Sequence, residues 1–274
     1  MRQNQAKILV LNKIHATAVL SPNAKLGKDV EIGPCAIIGN HVSIGEGTKI
    51  GANAVIDDWT SIGRNCRIHA GASIGSDPQD KKFIGEKGYV RIGDHTHIRE
   101  FVTINRGIGK GRKTQIGSNC LLLAYSHVAH NCVIGNHVVM SNAVNLAGHV
   151  VVEDRVTIGG FAEIHRFVKI GRNAMVGGFS KVVQDVPPYI MVDGNLAQVA
   201  GLNKIGMVRG GVEEDTRKAL KRAYKLLYYS GLSMEQALDA MEQELPKSEE
   251  LESFITFLRN SKSEICQKVS RHKR

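Results

Sequence analysis

Aliphatic side chains recur at every sixth position along most of the chain. Ile14, Leu20, Leu26, Ile32, Ile38, Ile44, Ile50, Ile56, Ile62, Ile68 and Ile74 keep this spacing without a slip. Ile92, Ile98 and Ile104 resume it briefly. A second run extends from Ile116 through Leu122, Val128, Ile134, Met140, Leu146, Val152, Ile158, Ile164, Ile170 and Val176 to Val182. Neither a helix nor an ordinary strand has a period of about six, so the pattern points to a solenoid. Two positions before the aliphatic residue sits a small or branched side chain (Ala24, Val30, Ala36, Val42, Thr48, Ala54, Thr60), and the next position is often glycine, as at Gly27, Gly33, Gly39, Gly45, Gly51 and Gly63. Residues two apart on a strand share a face, so each hexad aims one large and one small side chain inward. The glycine suits a corner that needs an unusual backbone angle. A short strand and a corner, repeated, predict a mainly β fold: a parallel solenoid whose coils stack over a continuous narrow core.

The six-residue period resembles the left-handed parallel β-helix of the hexapeptide-repeat acyltransferases, in which three hexads make one triangular coil; handedness and triangular section are what that resemblance implies. Two segments, at about 76–91 and 107–115, carry no hexad register. In a solenoid such insertions emerge as corner loops, often on the binding face. Both are polar and basic, so each is either a ligand-holding loop or a tolerated surface insertion. At Asp185-Val-Pro-Pro-Tyr189 the repeat stops, and two residues without an N–H are expected to end the sheet. An irregular stretch to about residue 212 precedes three helical patterns, at 213–229, 233–245 and 248–260, with Gly231 as a stop and Ser233 and Ser248 as N-caps. The expected organisation is thus a solenoid over 1–190, and an irregular linker plus a C-terminal helical domain over 191–274.

Five cysteines show no Cys-x-x-Cys spacing, and Cys66, Cys120 and Cys132 fall on the small inward position; Cys35 and Cys266 remain. An odd count without a framework fits a reducing compartment. The first residues lack a signal-peptide pattern and no apolar run reaches the length of a membrane span, so a cytoplasmic protein without an integral membrane segment is expected. The net charge of +10 is partly concentrated at Arg217, Lys218, Lys221, Arg222 and Lys225, which share one face of the first tail helix. That face is either simply solvated or a dock for an acidic protein or a phosphate. Scarce aromatics and the absence of a recognition motif argue against nucleic acid.

Most of the eleven histidines (His15, His41, His69, His95, His97 and His137 among them) are scattered over outward or loop positions. Four are not: His127, His130, His149 and His165 lie within three residues of Val128, Leu146 and Ile164, which are 18 apart and stack on one face if three hexads make a coil. With coils about 4.8 Å apart the group spans only about 10 Å. None occupies an inward position. Zinc ligation, acid–base catalysis and structural hydrogen bonding all remain open from spacing alone.

An ordered set of segments narrows this. Ala129-His-Asn-Cys, Leu146-Ala-Gly-His-Val, Ile164-His-Arg-Phe, Met175-Val-Gly-Gly, Gln184-Asp-Val-Pro-Pro-Tyr and Gly194-Asn resemble the UDP-N-acetylglucosamine O-acyltransferase family. The loop Ser73-Ile-Gly…Pro78-Gln-Asp-Lys-Lys-Phe83 and the tail Asn203-Lys-Ile-Gly…Arg209, then Ala223-Tyr-Lys-Leu, continue the likeness over essentially the whole chain. The resemblance implies transfer of an (R)-3-hydroxyacyl group from acyl carrier protein to the 3-hydroxyl of UDP-N-acetylglucosamine, the first step of lipid A biosynthesis, by a homotrimer with sites between subunits. No cofactor is implied beyond the phosphopantetheine that carries the acyl group, and no metal.

By the same resemblance His130 is the general base and the Gly148 N–H the oxyanion donor. His127, His149, His165 and the neighbouring Arg166 line the substrate site. Asp80 and Lys82 contact sugar and acyl hydroxyls, Asn203 and Arg209 hold the nucleotide end, Gly178 limits the acyl chain, and the basic helix docks acyl carrier protein. Four departures stand out. Asn131 follows the base where some relatives carry Asp, Ile205 stands where some carry Glu, and Gly210 where a second Arg often follows. Arg166 replaces a common Gln. Alternatives are acylation of a 3-amino UDP-sugar, a zinc enzyme of the carbonic anhydrase type, and a non-catalytic scaffold. The N-acyltransferase of the same pathway carries an extra N-terminal domain, and hexads beginning at Ile14 argue against it.

Overall fold

The computed structural model describes residues 12–261 and 264–268. Its first part is a three-sided solenoid. One sheet starts at Lys13–Ile14, the second at Val19–Leu20 and the third at Lys25–Leu26, and successive strands visit the three in turn. Most strands are two residues long, and each pairs in parallel with the strand one coil later, as in Lys13↔Glu31 and Ile14↔Ile32. The aliphatic of each hexad and the small residue two before it both point inward: Ile38, Ile56 and Ile74 and their partners Ala36, Ala54 and Ala72 are essentially inaccessible. Cys66, Cys120 and Cys132 lie in that small column, all buried. Across such thin strands the core is one aliphatic stack, and its burial is the main driving force for the fold.

The corner chemistry differs from the expectation. Of the glycines that follow a hexad aliphatic, Gly75, at the start of the first insertion, holds a positive φ (93°), but Gly27, Gly33, Gly39, Gly45, Gly51 and Gly63 do not. That conformation falls two residues later, at Asp29, Cys35, His41, Asn53 and Asn65 (φ 54–56°) and at the matching place in almost every later hexad. The earlier glycines are needed because coils nearly touch there. A Cβ on Gly27 would lie 2.6 Å from the Glu46 backbone N, and one on Gly45 would lie 2.5 Å from the Gly63 carbonyl carbon. Gly45→Ala therefore forces two backbones apart, and we expect a loss of about 1–3 kcal/mol, read as a lower urea midpoint.

The insertions are narrower than the sequence suggested. Tyr89–Ile92 and Lys113–Ile116 are full strands of the third sheet, in register with each other and with Thr60–Ile62. Val90 and Thr114 fill the small inward position two residues before Ile92 and Ile116, so each strand begins earlier than a register counted on the large aliphatics alone. Both loops leave the second sheet, after Ser76 and Asn105, and re-enter at the third. They therefore emerge from one corner.

The sheet also continues past the proline pair. Ile190–Asp193 joins the first sheet in parallel beside Met175–Val176, and Gln198–Leu202 then pairs with it antiparallel. The prolines sit at a corner, Pro188 packed against Gly171, where a missing N–H costs no ladder bond. The supposedly irregular linker also contains a short helix, α1 (Lys204–Arg209). The tail helices are α2 (Glu214–Tyr229), α3 (Met234–Glu244) and α4 (Glu249–Asn260). Ser233 closes a capping box with Gln236, Ser248 accepts from the Leu251 N–H, and Gly231 takes φ +74° after α2. Apolar stripes pack α2 through Ala219, Leu220 and Ala223, and α4 through Leu251, Phe254 and Leu258. Among the described residues no helix is long and apolar enough to cross a membrane.

Candidate active site

The corner between the second and third sheets gathers the chemistry. Asn131, His149 and Phe167 occupy its left-handed position on three successive coils (φ 61–66°), and the two insertions rise from its earlier coils. His130 precedes that position, two residues after the strand residue Val128, and is only 8 % exposed. Its Nδ1 lies 2.8 Å from Asn131 Oδ1, and its Nε2 lies 3.5 Å from Asp80 Oδ2 in the first insertion. Gly148, one coil on, carries the ring: a Cβ there would sit 2.7 Å from both Cε1 and Nε2. His149 meets His130 edge-on with centroids 5.2 Å apart and stacks on Phe167 at 4.8 Å.

Charge follows this geometry. The Lys82 backbone N–H bonds Asp80 at 2.8 Å; with the nearby charges of Lys82 and Arg166, and of His130 whenever its ring is protonated, it holds that carboxyl below the usual range. Burial depresses His149, and His130 and Arg112 add to the effect. Arg166 is exposed, but its charge reaches both Asp80 and His149.

His127 and His165 lie on the adjoining face of the second sheet, in a cavity of about 320 Å3 shared with Asn145, Glu163 and Lys181. His127 Nδ1 is 2.7 Å from Thr103 Oγ1. Burial depresses His127 below its ordinary value of 6.5. The folded state therefore resists a proton that the unfolded chain accepts, so the contribution is complete above about pH 6.5 and disappears as pH falls through the folded value. His127→Gln is expected to flatten the loss of urea stability below pH 6.5, measured from pH 8 to pH 5. An unchanged pH slope would refute it.

The other expected site residues are elsewhere. Gly178 lies at the corner between the first and second sheets, facing Gly160 one coil back. Asn203 and Arg209 border a cavity of about 530 Å3 on the first sheet, with Thr157, Met175, Met191, His137 and Arg155. Both ends of the Asn203 amide are engaged: Oδ1 caps α1 through the Gly206 N–H, and Nδ2 donates to the Asn173 carbonyl. Ile205 is exposed, and Gly210 packs on Asn173. Of the basic helix, Lys218 is tied to Glu214 and Asp215, and Arg222 lies 3.9 Å from Glu244. Arg217 is half-buried, and Lys221 and Lys225 are exposed without an ion-pair partner among the described residues. Also among the described residues, no three His, Cys, Asp or Glu side chains converge as metal ligands.

A profile described as bacterial transferase hexapeptide (six repeats) matches residues 41–76 and 113–148, and one described as UDP-N-acetylglucosamine O-acyltransferase, domain 2, matches 185–266. The acyl-[acyl-carrier-protein]–UDP-N-acetylglucosamine O-acyltransferase of Thermodesulfovibrio yellowstonii is 45 % identical over 258 residues, covering 94 % of this chain and all of the relative. The chain belongs to the UDP-N-acetylglucosamine O-acyltransferase family. The enzyme of the same name from Trichlorobacter lovleyi is 52 % identical over 93 % of this chain and 99 % of its own. Among solved structures, the UDP-N-acetylglucosamine acyltransferase of Bacteroides fragilis superposes with a TM-score of 0.90 at 39 % identity, covering 92 % of this chain and 99 % of that one. The UDP-N-acetylglucosamine O-acyltransferase of Moraxella catarrhalis gives 0.88 at 40 %, covering 93 % and 99 %. Family membership thus extends over the solenoid, both insertions and the helical tail.

Sequence reasoning did not single out Thr103, Ile108 or Phe167. Thr103 and Phe167 lie one coil from a histidine, so a search by coil register would have found them. Ile108 contacts the site through its backbone, which has no sequence signal.

Proposed function

We propose that this protein transfers an (R)-3-hydroxyacyl group from acyl carrier protein to the 3-hydroxyl of UDP-N-acetylglucosamine, the first step of lipid A biosynthesis. The end-to-end match to acyltransferases of that name carries the reading. In it, His130 Nε2 takes the proton of the sugar hydroxyl as its oxygen attacks the thioester carbonyl. The C–O bond forms, the tetrahedral oxyanion collapses, the C–S bond breaks, and the imidazolium returns its proton to the leaving thiolate. A base of this kind is worth about 10²–10⁴-fold. Asp80, 3.5 Å from Nε2, offsets the charge the ring acquires. The Gly148 N–H makes no hydrogen bond among the described residues, which supports its role as oxyanion donor, a contribution of about 3–4 kcal/mol.

Two features support a homotrimer with shared sites. The histidine corner and the cavity beside Asn203 and Arg209 lie on different sides of the prism, so a substrate touching both needs a neighbouring copy. Arg209 then suits the diphosphate, Lys82, His149, His165 and Arg166 the sugar and acyl polar groups, and Gly178 the end of the acyl chain. The exposed Lys221 and Lys225 suit the acidic carrier protein. The chain works in the cytoplasm and needs no cofactor of its own.

The test is a panel of acyl carrier protein thioesters with UDP-N-acetylglucosamine and its 3-amino analogue. An ester product with the hydroxyl sugar is expected. Amide formation with the amino sugar alone would replace the acceptor assignment, and no product with either would overturn the reading.

A further inference from the structure

The residue after the candidate base is an amide, so no carboxylate is present there to orient the ring. Asn131 Oδ1 nevertheless lies 2.8 Å from His130 Nδ1. Which end of the amide faces the ring is fixed by a third residue. The Ile108 N–H donates to Asn131 Oδ1 at 2.9 Å, and Asn131 Nδ2 donates to the Ile108 carbonyl at 3.2 Å. A backbone N–H can meet only the oxygen, and a carbonyl only the NH2, so the amide cannot be flipped. An amide oxygen is solely an acceptor. His130 must therefore carry its proton on Nδ1, which leaves the Nε2 lone pair free on the side of Asp80. The backbone helps: Asn131 holds φ +61°, a conformation asparagine tolerates, and its N–H donates to Thr114 Oγ1.

We propose that Asn131 is the positioning residue of His130, selecting the Nδ1–H tautomer and fastening the ring to the second insertion. This rests on the assignment of His130 as base. The insertion is itself braced by the first. Glu86 Oε1 accepts from the Gly109 N–H at 2.8 Å, its Oε2 accepts from the Ile84 N–H at 3.0 Å, and the Gly111 N–H donates to the Lys87 carbonyl. His130 is thus gripped at Nδ1 by one insertion, through Asn131, and approached at Nε2 by the other, through Asp80. Because the Asn131 amide is uncharged, the imidazolium formed in catalysis is countered from the Nε2 side only. The charged or titratable groups around it are Asp80, His149, Arg112, Arg166 and Lys82.

The test uses the full chain labelled with 15N-histidine, the His130 signals being assigned by their loss in His130→Ala. In the unsubstituted protein without substrate, Nδ1 is expected to be protonated and Nε2 not. Asn131→Gly removes the amide and keeps the positive φ. It is expected to release the Nε2–H tautomer and lower kcat by at least about tenfold, with KM for the acyl donor unchanged. Asn131→Asp keeps an acceptor but adds charge, which favours the imidazolium; the acidic limb of kcat/KM should move to higher pH while kcat above the limb stays near its original value. An Nε2–H tautomer in the unsubstituted protein, an unaltered tautomer and kcat in Asn131→Gly, or an unmoved limb in Asn131→Asp would each overturn the proposal. The tautomer is read without turnover, so it stands or falls separately from the acyl-transfer reading.

Discussion

His130→Ala is expected to abolish acyl transfer while leaving a folded protein. The ring sits at a corner, outside the aliphatic stack, and only its contacts with Asn131, Asp80, Gly148 and His149 are lost. Asn131 keeps both bonds to Ile108, so the loop beside it has its anchor. A fall in kcat of about 10²–10⁴-fold is the size of effect a positioned base supplies. Circular dichroism and size exclusion should match the unsubstituted protein. Turnover within a few-fold of the original would remove His130 from the base role and return the scaffold reading to contention.

Gly148→Ala should be almost as damaging, for a different reason. The new Cβ would lie 2.7 Å from Cε1 and Nε2 of His130, whereas carbon contacts settle at about 3.5–4.0 Å. The ring has to move by about 1 Å, and a displacement of that order costs about 100-fold in rate. The Gly148 N–H is untouched by this substitution, so the loss reports the base and not the oxyanion donor. A crystal structure of the variant should find the imidazole displaced from Gly148. Full activity with the ring in place would show that the close approach carries no function.

The coils were readable because their core has a six-residue period that nothing else produces, and because each inward column holds one large and one small side chain. The corner was misread. Glycine invites the inference of a positive φ, yet Gly27 and Gly45 are there because the next coil's backbone passes within 3 Å, while Asp29, Asn53 and His149 take the strained conformation. A close approach across 18 residues leaves no local mark. The insertion ends were blurred because the register was counted from the large aliphatics Ile92 and Ile116, whereas the strands already begin with the small-column residues Val90 and Thr114 and the residues before them. The helix α1 escaped notice because six residues are too few for a period. Histidine spacing found the right corner. It could not say that Asn203 and Arg209 lie on another part of the prism, since face assignment beyond the repeat depends on how the tail folds back. Gly178, two residues after Val176, was placeable by the register alone.

The closing of the last coil bears on how the solenoid ends. Two-residue strands stacked in parallel present a bare ladder of N–H and C=O groups at the end of a column, and a further chain could add to it indefinitely, as in a fibril. Each of the three ladders is met differently. Gln198–Leu202 runs antiparallel beyond the first, Asn195 bridges Lys181 at the second, and Val186 bridges Ile170 at the third, with Ile265 returning to pair with Asp185. Among the described residues, reversing direction on one ladder and supplying single-residue bridges on the others interrupts the parallel template at this end of the solenoid. Residues 185–202, with the returning Ile265, are thus the stopper of a fold that has no intrinsic length.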